Sequence, residues 1–153
     1  AWNYVLWLLG RQAYSKAQIK EKLVKKEVSP DIIAQVLEKL ETYRFINDAN
    51  YAEQYVQSRQ KRKGRIALKR ELQLKGIEEE VITETLSELG DEKQQEIALE
   101  LLKKQLPKIH KEDERKRYGK AYTFLARRGF TSDVIRKTLE NVNLEEDAEN
   151  AEE

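Results

Sequence analysis

Apolar residues recur along this chain at helical spacing, and they do so three times in the same order. Leu23, Leu72 and Leu125 are followed five residues later by Val28, Ile77 and Phe130, and five further on by Ile33, Ile82 and Ile135. Leu37, Leu86 and Leu139 come next, then Leu40, Leu89 and Val142. The offset between copies is 49 residues, then 53. A short unit reiterated in this way cannot bury its apolar face alone, so neighbouring copies must supply one another's core.

The central copy is the clearest. Between Asp48 and Leu89 the pattern predicts three helices, DANYAEQYVQSRQ, RIALKRELQLK and EEEVITETLSEL. Their apolar faces are Tyr51, Ala52, Tyr55 and Val56; Ile66, Leu68 and Leu72; and Val81, Ile82, Leu86 and Leu89. Asp48 stands as N-cap of the first. Gly64 marks the first turn, where a missing side chain would let the backbone approach a phosphate or a partner closely. Gly76 stands at the left-handed position that ends a helix, and Gly129 holds the same place in the third copy. In the first copy that place is Glu27, which predicts a less strained turn.

The first copy is expected to bury Leu6 and Trp7 from its first helix. Ser15 and Gln18 form a capping box for its second, and Ser29 and Pro30 open its third as N-cap and first helical residue. In the third copy Asp91 and Gln94 suggest another capping arrangement, ahead of an apolar face of Ile97, Ala98, Leu101 and Leu102. Extra residues between Lys103 and Tyr118, Pro107 among them, read as a longer loop or an extended first helix. The YRFIND segment seals the junction between copies one and two. The expected fold is therefore all-α, an elongated tandem array of three three-helix modules over residues 1–42, 48–90 and 91–143, with a disordered acidic tail at 144–153. The chain opens at Ala1 inside a predicted helix, as a trimmed N-terminus would.

Composition sharpens this picture. Apolar residues make up 39% and charged ones 37% of the chain, a ratio suited to thin helical layers rather than one deep core. There is no cysteine, which excludes disulfides and thiolate metal sites and fits a reducing compartment. No run is long and apolar enough for a membrane span, and no signal peptide is visible. The formal net charge of +1 conceals an asymmetry, because six acidic residues and no basic one lie between Glu145 and Glu153. The body of the chain is basic.

The order FINDANYAEQYVQSRQKRKG, LKRELQLKGI, FLARRGFTSDVI resembles the RecX family, regulators of the RecA recombinase, over nearly the whole chain. The resemblance implies tandem three-helix modules, agreeing with the repeat. It also implies a cytosolic bacterial protein of DNA repair and recombination that binds RecA filaments on DNA and restrains their extension, ATPase and strand exchange. Two departures from the family pattern are Glu27, where a glycine is favoured, and Asn47–Asp48, where two acidic residues are common.

Catalysis finds little support. The single histidine, His110, lies in a charged stretch as a surface residue, no nucleophile has a sequence context, and neither a phosphate loop nor a metal motif occurs. No cofactor is expected. The basic clusters are the informative feature. From Arg59 to Lys75 eight basic residues face Glu71 alone, and from Lys103 to Arg128 ten face three acids. Arg59, Lys61, Arg62, Lys63, Arg65, Lys69 and Arg70, supported by Arg127 and Arg128, are the candidate surface toward RecA or DNA. The acidic first turns of the third helices, at Pro30–Asp31, Glu78–Glu79–Glu80 and Ser132–Asp133, disfavour base reading by a recognition helix. The expected protein is a monomer that meets the RecA filament, with DNA bound weakly or through it. A free-standing nucleic-acid binder and a scaffold for another partner are the alternatives.

Overall fold

Nine helices form among the described residues, three to each copy of the repeat. The computed structural model describes residues 1–142. The helices are α1 (Trp2–Arg11), α2 (Lys16–Lys25), α3 (Pro30–Thr42), α4 (Asp48–Arg59), α5 (Arg65–Leu74), α6 (Glu79–Ser87), α7 (Asp91–His110), α8 (Glu114–Arg127) and α9 (Ser132–Glu140). The acidic segment 144–153 lies outside the described residues. No described helix is long and apolar enough to cross a membrane.

The repeated apolar positions are the core. All of them are buried except Val28 and Val142, which are half-buried. The second helix of every module closes with the same turn. The amides of Val28, Ile77 and Phe130 donate back to the carbonyls of Leu23, Leu72 and Leu125. This geometry places Gly76 and Gly129 at φ +77° and +91°. Glu27 adopts φ 59° as well, so the first turn is no more relaxed than the others, contrary to its sequence. A non-glycine residue held there carries conformational strain.

The chain gathers into two compact units, one formed by Ala1–Gln57 with Glu71–Thr85, the other by Ser58–Arg70 with the chain from Leu86 onward. In the first unit Val5, Leu8, Ile19, Leu23, Ile33, Val36, Leu37, Leu40 and Ile46 form one cluster. Leu6 and Trp7 are exposed, so α1 is rotated from the expected register and buries Val5 and Leu8 instead. Capping of α2 follows the expected box, Gln18 N–H to Ser15 Oγ at 3.2 Å and Ser15 N–H to Gln18 Oε1 at 2.9 Å. Ser15 Oγ also donates to the carbonyl of Lys75. Asp48 does not cap its own helix. Asn47 does, accepting from the Asn50 amide at 3.1 Å, while Asp48 Oδ1 accepts from the Lys16 amide at 2.9 Å and so caps α2.

Around Trp2 the YRFIND segment folds back on α1. Trp2 meets Tyr43 and Phe45 with ring centroids 6.2 Å and 6.1 Å apart, and Lys39 Nζ lies 4.2 Å from the Trp2 ring centre. Ile46 joins the first module's core, so this segment completes that module.

In the second unit the extra residues extend α7 through Pro107 to His110, resolving the choice between loop and helix. Its apolar side, Ala98, Leu101, Leu102, Leu106 and Ile109, packs with Ala121 and Leu125 of α8 and with Val134, Ile135 and Leu139 of α9. His110 is half-buried, with Nδ1 lacking a partner, rather than a surface residue. In α5 the buried face is Ala67, Leu68 and Leu72, while Ile66 is exposed.

Candidate functional site

The basic residues singled out from the sequence all fall in the second compact unit. A backbone junction brings their two groups together. Gly64 N–H donates to the carbonyl of Arg128 at 2.8 Å, and Ile66 N–H to that of Gly129 at 2.9 Å, so the start of α5 is bonded to the turn after α8. A β-carbon on Gly64 would come within 2.6 Å of Phe130 N and nearer still to the Gly129 carbonyl. Gly64 is therefore buried against Gly129 and presents no open backbone to a phosphate, a correction to the sequence reading. Ala67 closes the junction from the other side, its amide lying 2.6 Å from where a β-carbon on Gly129 would stand.

Within this surface the cations differ in exposure and in the contacts they make. Arg65 is committed internally: its guanidinium donates to the Leu89 carbonyl at 3.1 Å and pairs with Asp91, while its amide donates to Gln94 Oε1 at 2.9 Å. Asp91 and Gln94 thus bind Arg65 instead of capping α7, whose N-cap is Gly90. Gln94 is buried, and its Nε2 has no partner among the described residues. Arg59 Nη1 donates to Ser58 Oγ at 2.8 Å. Lys61, Arg62, Lys69, Arg70 and Arg127 are exposed, and Lys63 and Arg128 half-buried. Arg128 Cζ stands 5.2 Å from the Phe124 ring centre.

Sequence reasoning missed a groove here. Lys116, Gly119, Lys120, Thr123, Phe124, Arg127 and Arg128 line a cavity of about 560 Å³ along one face of α8. Their three- and four-residue spacing was the available signal, but only the total charge of the segment had been weighed. Among the described residues no cluster of His, Cys, Asp or Glu could hold a metal.

The junction between α2 and α5 follows the same plan in the first unit. Ser15 bonds to the Lys75 carbonyl, and a β-carbon on Gly76 would overlap that of Ala17. Lys16 pairs with Glu41, which raises the Lys16 ammonium above its ordinary value, while burial raises the Asp48 carboxyl.

The chain matches three family models in order: RecX, first three-helix domain, over residues 1–40; RecX, second three-helix domain, over 47–86; and RecX, third three-helix domain, over 91–139. It is 35% identical over 147 residues to Regulatory protein RecX of Bacillus subtilis strain 168, covering 95% of this chain and 56% of that protein. To its namesake from Bacillus thuringiensis strain Al Hakam it is 40% identical over 147 residues, covering 95% and 54%. The chain therefore spans just over half the length of these curated relatives. The crystal structure of RecX from Lactobacillus salivarius superposes with a TM-score of 0.85 at 28% identity, covering 91% of this chain and 92% of that one. A second crystal structure of regulatory protein RecX gives 0.82 at 27% identity, covering 92% and 70%. With its three modules matched in order, the chain belongs to the RecX family of regulatory proteins.

Proposed function

We propose that this chain is a non-catalytic regulator that binds the RecA–DNA filament and restrains its extension, ATPase and strand exchange. The observation carrying this reading is the basic surface of the second unit, where the 59–70 segment and Arg127–Arg128 are joined through Gly64 and Gly129 on a RecX scaffold. Cations gathered on one compact unit attract a polyanionic assembly and orient its approach. Arg62, Lys69, Arg70 and Arg127, all exposed, are the residues assigned to the contact. Arg65 supports them from behind, because its guanidinium is spent on Leu89 and Asp91. The helices that would have to read bases begin with Asp31, Glu79–Glu80 and Asp133, and these carboxylates repel phosphate at a groove edge.

The test is RecA's DNA-dependent ATPase with and without this protein. A progressive loss of ATPase with added protein is expected, and it weakens when Arg62, Lys69 and Arg70 are changed together to glutamate. Unchanged ATPase at several-fold excess over RecA overturns the proposal.

A further inference from the structure

The groove along α8 carries a line of positive charge that the fold itself does not use. Lys116, Lys120 and Arg127 form no ion pair with a described residue, and no carboxylate lines the groove. Three other cations of the unit are paired: Arg65 with Asp91, Lys103 with Glu100, Arg136 with Asp133. Like charges one helical turn apart destabilise a helix, so Lys116 and Lys120 together carry a cost that a bound anion would relieve.

Nor is this charge wholly inherited from the repeat. Aligned on their closing turns, the α5 residues matching Lys120, Phe124 and Arg127 are Ala67, Glu71 and Leu74. Ala67 is buried and Glu71 accepts a hydrogen bond from Tyr55 Oη at 2.7 Å. Lys116 and Arg128 have basic counterparts in Lys63 and Lys75, so relative to the second module the third adds Lys120 and Arg127 to this face.

We infer that the α8 face binds the phosphate backbone of a nucleic-acid strand. Lys116 to Arg127 spans eleven residues of helix, about 17 Å at 1.5 Å per residue. That length matches about five phosphates of one strand at 3.4 Å of axis each. Gly119 has open space where a side chain would stand, which lets the strand lie close to the helix between the two lysines. Phe124, half-buried beside Thr123 with Arg128 over its ring, offers an aromatic surface for a base. An acidic protein patch would need no such linear array. The inference deepens the proposed function, resting on it where the strand is the filament's own DNA, but the contact is also measurable without RecA.

The experiment is fluorescence anisotropy of a labelled single-stranded 30-mer and of its duplex with the full chain at increasing salt. The parent is compared with Lys116→Gln/Lys120→Gln/Arg127→Gln, three exposed sites. Arg115→Gln, exposed and outside the groove, is the control. The triple variant is expected to bind at least about tenfold more weakly at low salt, with the duplex log–log salt slope shallower by about two to three. Arg115→Gln should stay near the parent. A triple variant with parental affinity and slope overturns the inference, as does an equal loss in Arg115→Gln. A fall confined to the single strand in Phe124→Leu assigns base stacking to that ring. If the parent leaves RecA ATPase unchanged while the triple variant still loses oligonucleotide binding, the filament reading falls and the α8 contact stands.

Discussion

Gly64 and Gly129 meet backbone to backbone: the Gly129 carbonyl fills the space a β-carbon on Gly64 would need, and Ala67 fills the space a β-carbon on Gly129 would need. The basic surface rests on this contact, because it fixes the 59–70 segment to the end of α8. Gly64→Ala is expected to cost about 1–3 kcal/mol by overpacking. That is a fall of several degrees in Tm for a chain of this size, at about 2–4 °C per kcal/mol. Gly119→Ala should do the opposite, gaining about 0.5–1 kcal/mol of helix propensity in open space. Thermal unfolding followed by circular dichroism decides both, and equal melting of parent and Gly64→Ala would show the contact to be slack.

Two serines at N-caps should behave differently. Ser15 is buried, accepts from the Gln18 amide and donates to the Lys75 carbonyl, so Ser15→Ala loses a cap and strands a carbonyl. About 2 kcal/mol of unfolding free energy should go. Ser29 is exposed and makes no side-chain cap bond, so Ser29→Ala should cost a few tenths of that. Urea unfolding of the two variants side by side makes the comparison, and similar losses would contradict it.

Burial holds the Asp48 carboxyl above its ordinary value of 3.8, only partly opposed by the hydrogen bond from the Lys16 amide and by the Lys16 ammonium. The folded protein therefore keeps this proton after the unfolded chain has lost it. Stability falls as pH rises through the interval above 3.8, and the penalty then persists to neutral pH. Asp48→Asn keeps an oxygen for the Lys16 amide and removes the buried charge, so it should raise stability at about pH 7 and flatten the dependence below it. Asp48→Ala should lower stability, since α2 then lacks that acceptor. The sign for Lys16 is different: its ammonium, raised from 10.5 by Glu41, contributes stability that is lost only as pH climbs through the raised value. Denaturant unfolding at several pH values tests the pair, and a destabilised Asp48→Asn would show that attraction to Lys16 outweighs burial.

Glu27 holds a left-handed backbone at the position where the other modules have glycine. Glu27→Gly should raise stability by about 1 kcal/mol, since the strain disappears with the side chain. Gly76→Ala, at the equivalent turn, should lose more than that because Ala17 fills the space. Equilibrium unfolding of both variants is the measurement, and a destabilised Glu27→Gly would place the strain elsewhere.

The repeat was legible because its determinants are local: apolar spacing, closing turns and the Ser15–Gln18 box are all written within a dozen residues. The register of α1 was not. Trp2, Tyr4, Val5, Leu6, Trp7, Leu8 and Leu9 are apolar almost continuously, so periodicity cannot select the inner face, and packing chose Val5 and Leu8. Adjacent Asn47 and Asp48 are both good caps, and only the distant Lys16 amide decides which serves which helix. Gly64 shows the deeper limit. A glycine needed for close packing and one left open for a ligand look the same in sequence, and the difference lies in Gly129, 65 positions away. The same holds for the basic residues, since nothing local distinguishes Arg65, consumed by Asp91, from exposed Arg62.

At Gly76 and Gly129 the bare α-carbon is a socket, into which Ala17 and Ala67 plug. Glu27 keeps the backbone shape the others share but carries a β-carbon at that place. The plug that Ala17 and Ala67 provide at the other two turns therefore finds no bare α-carbon to receive it here.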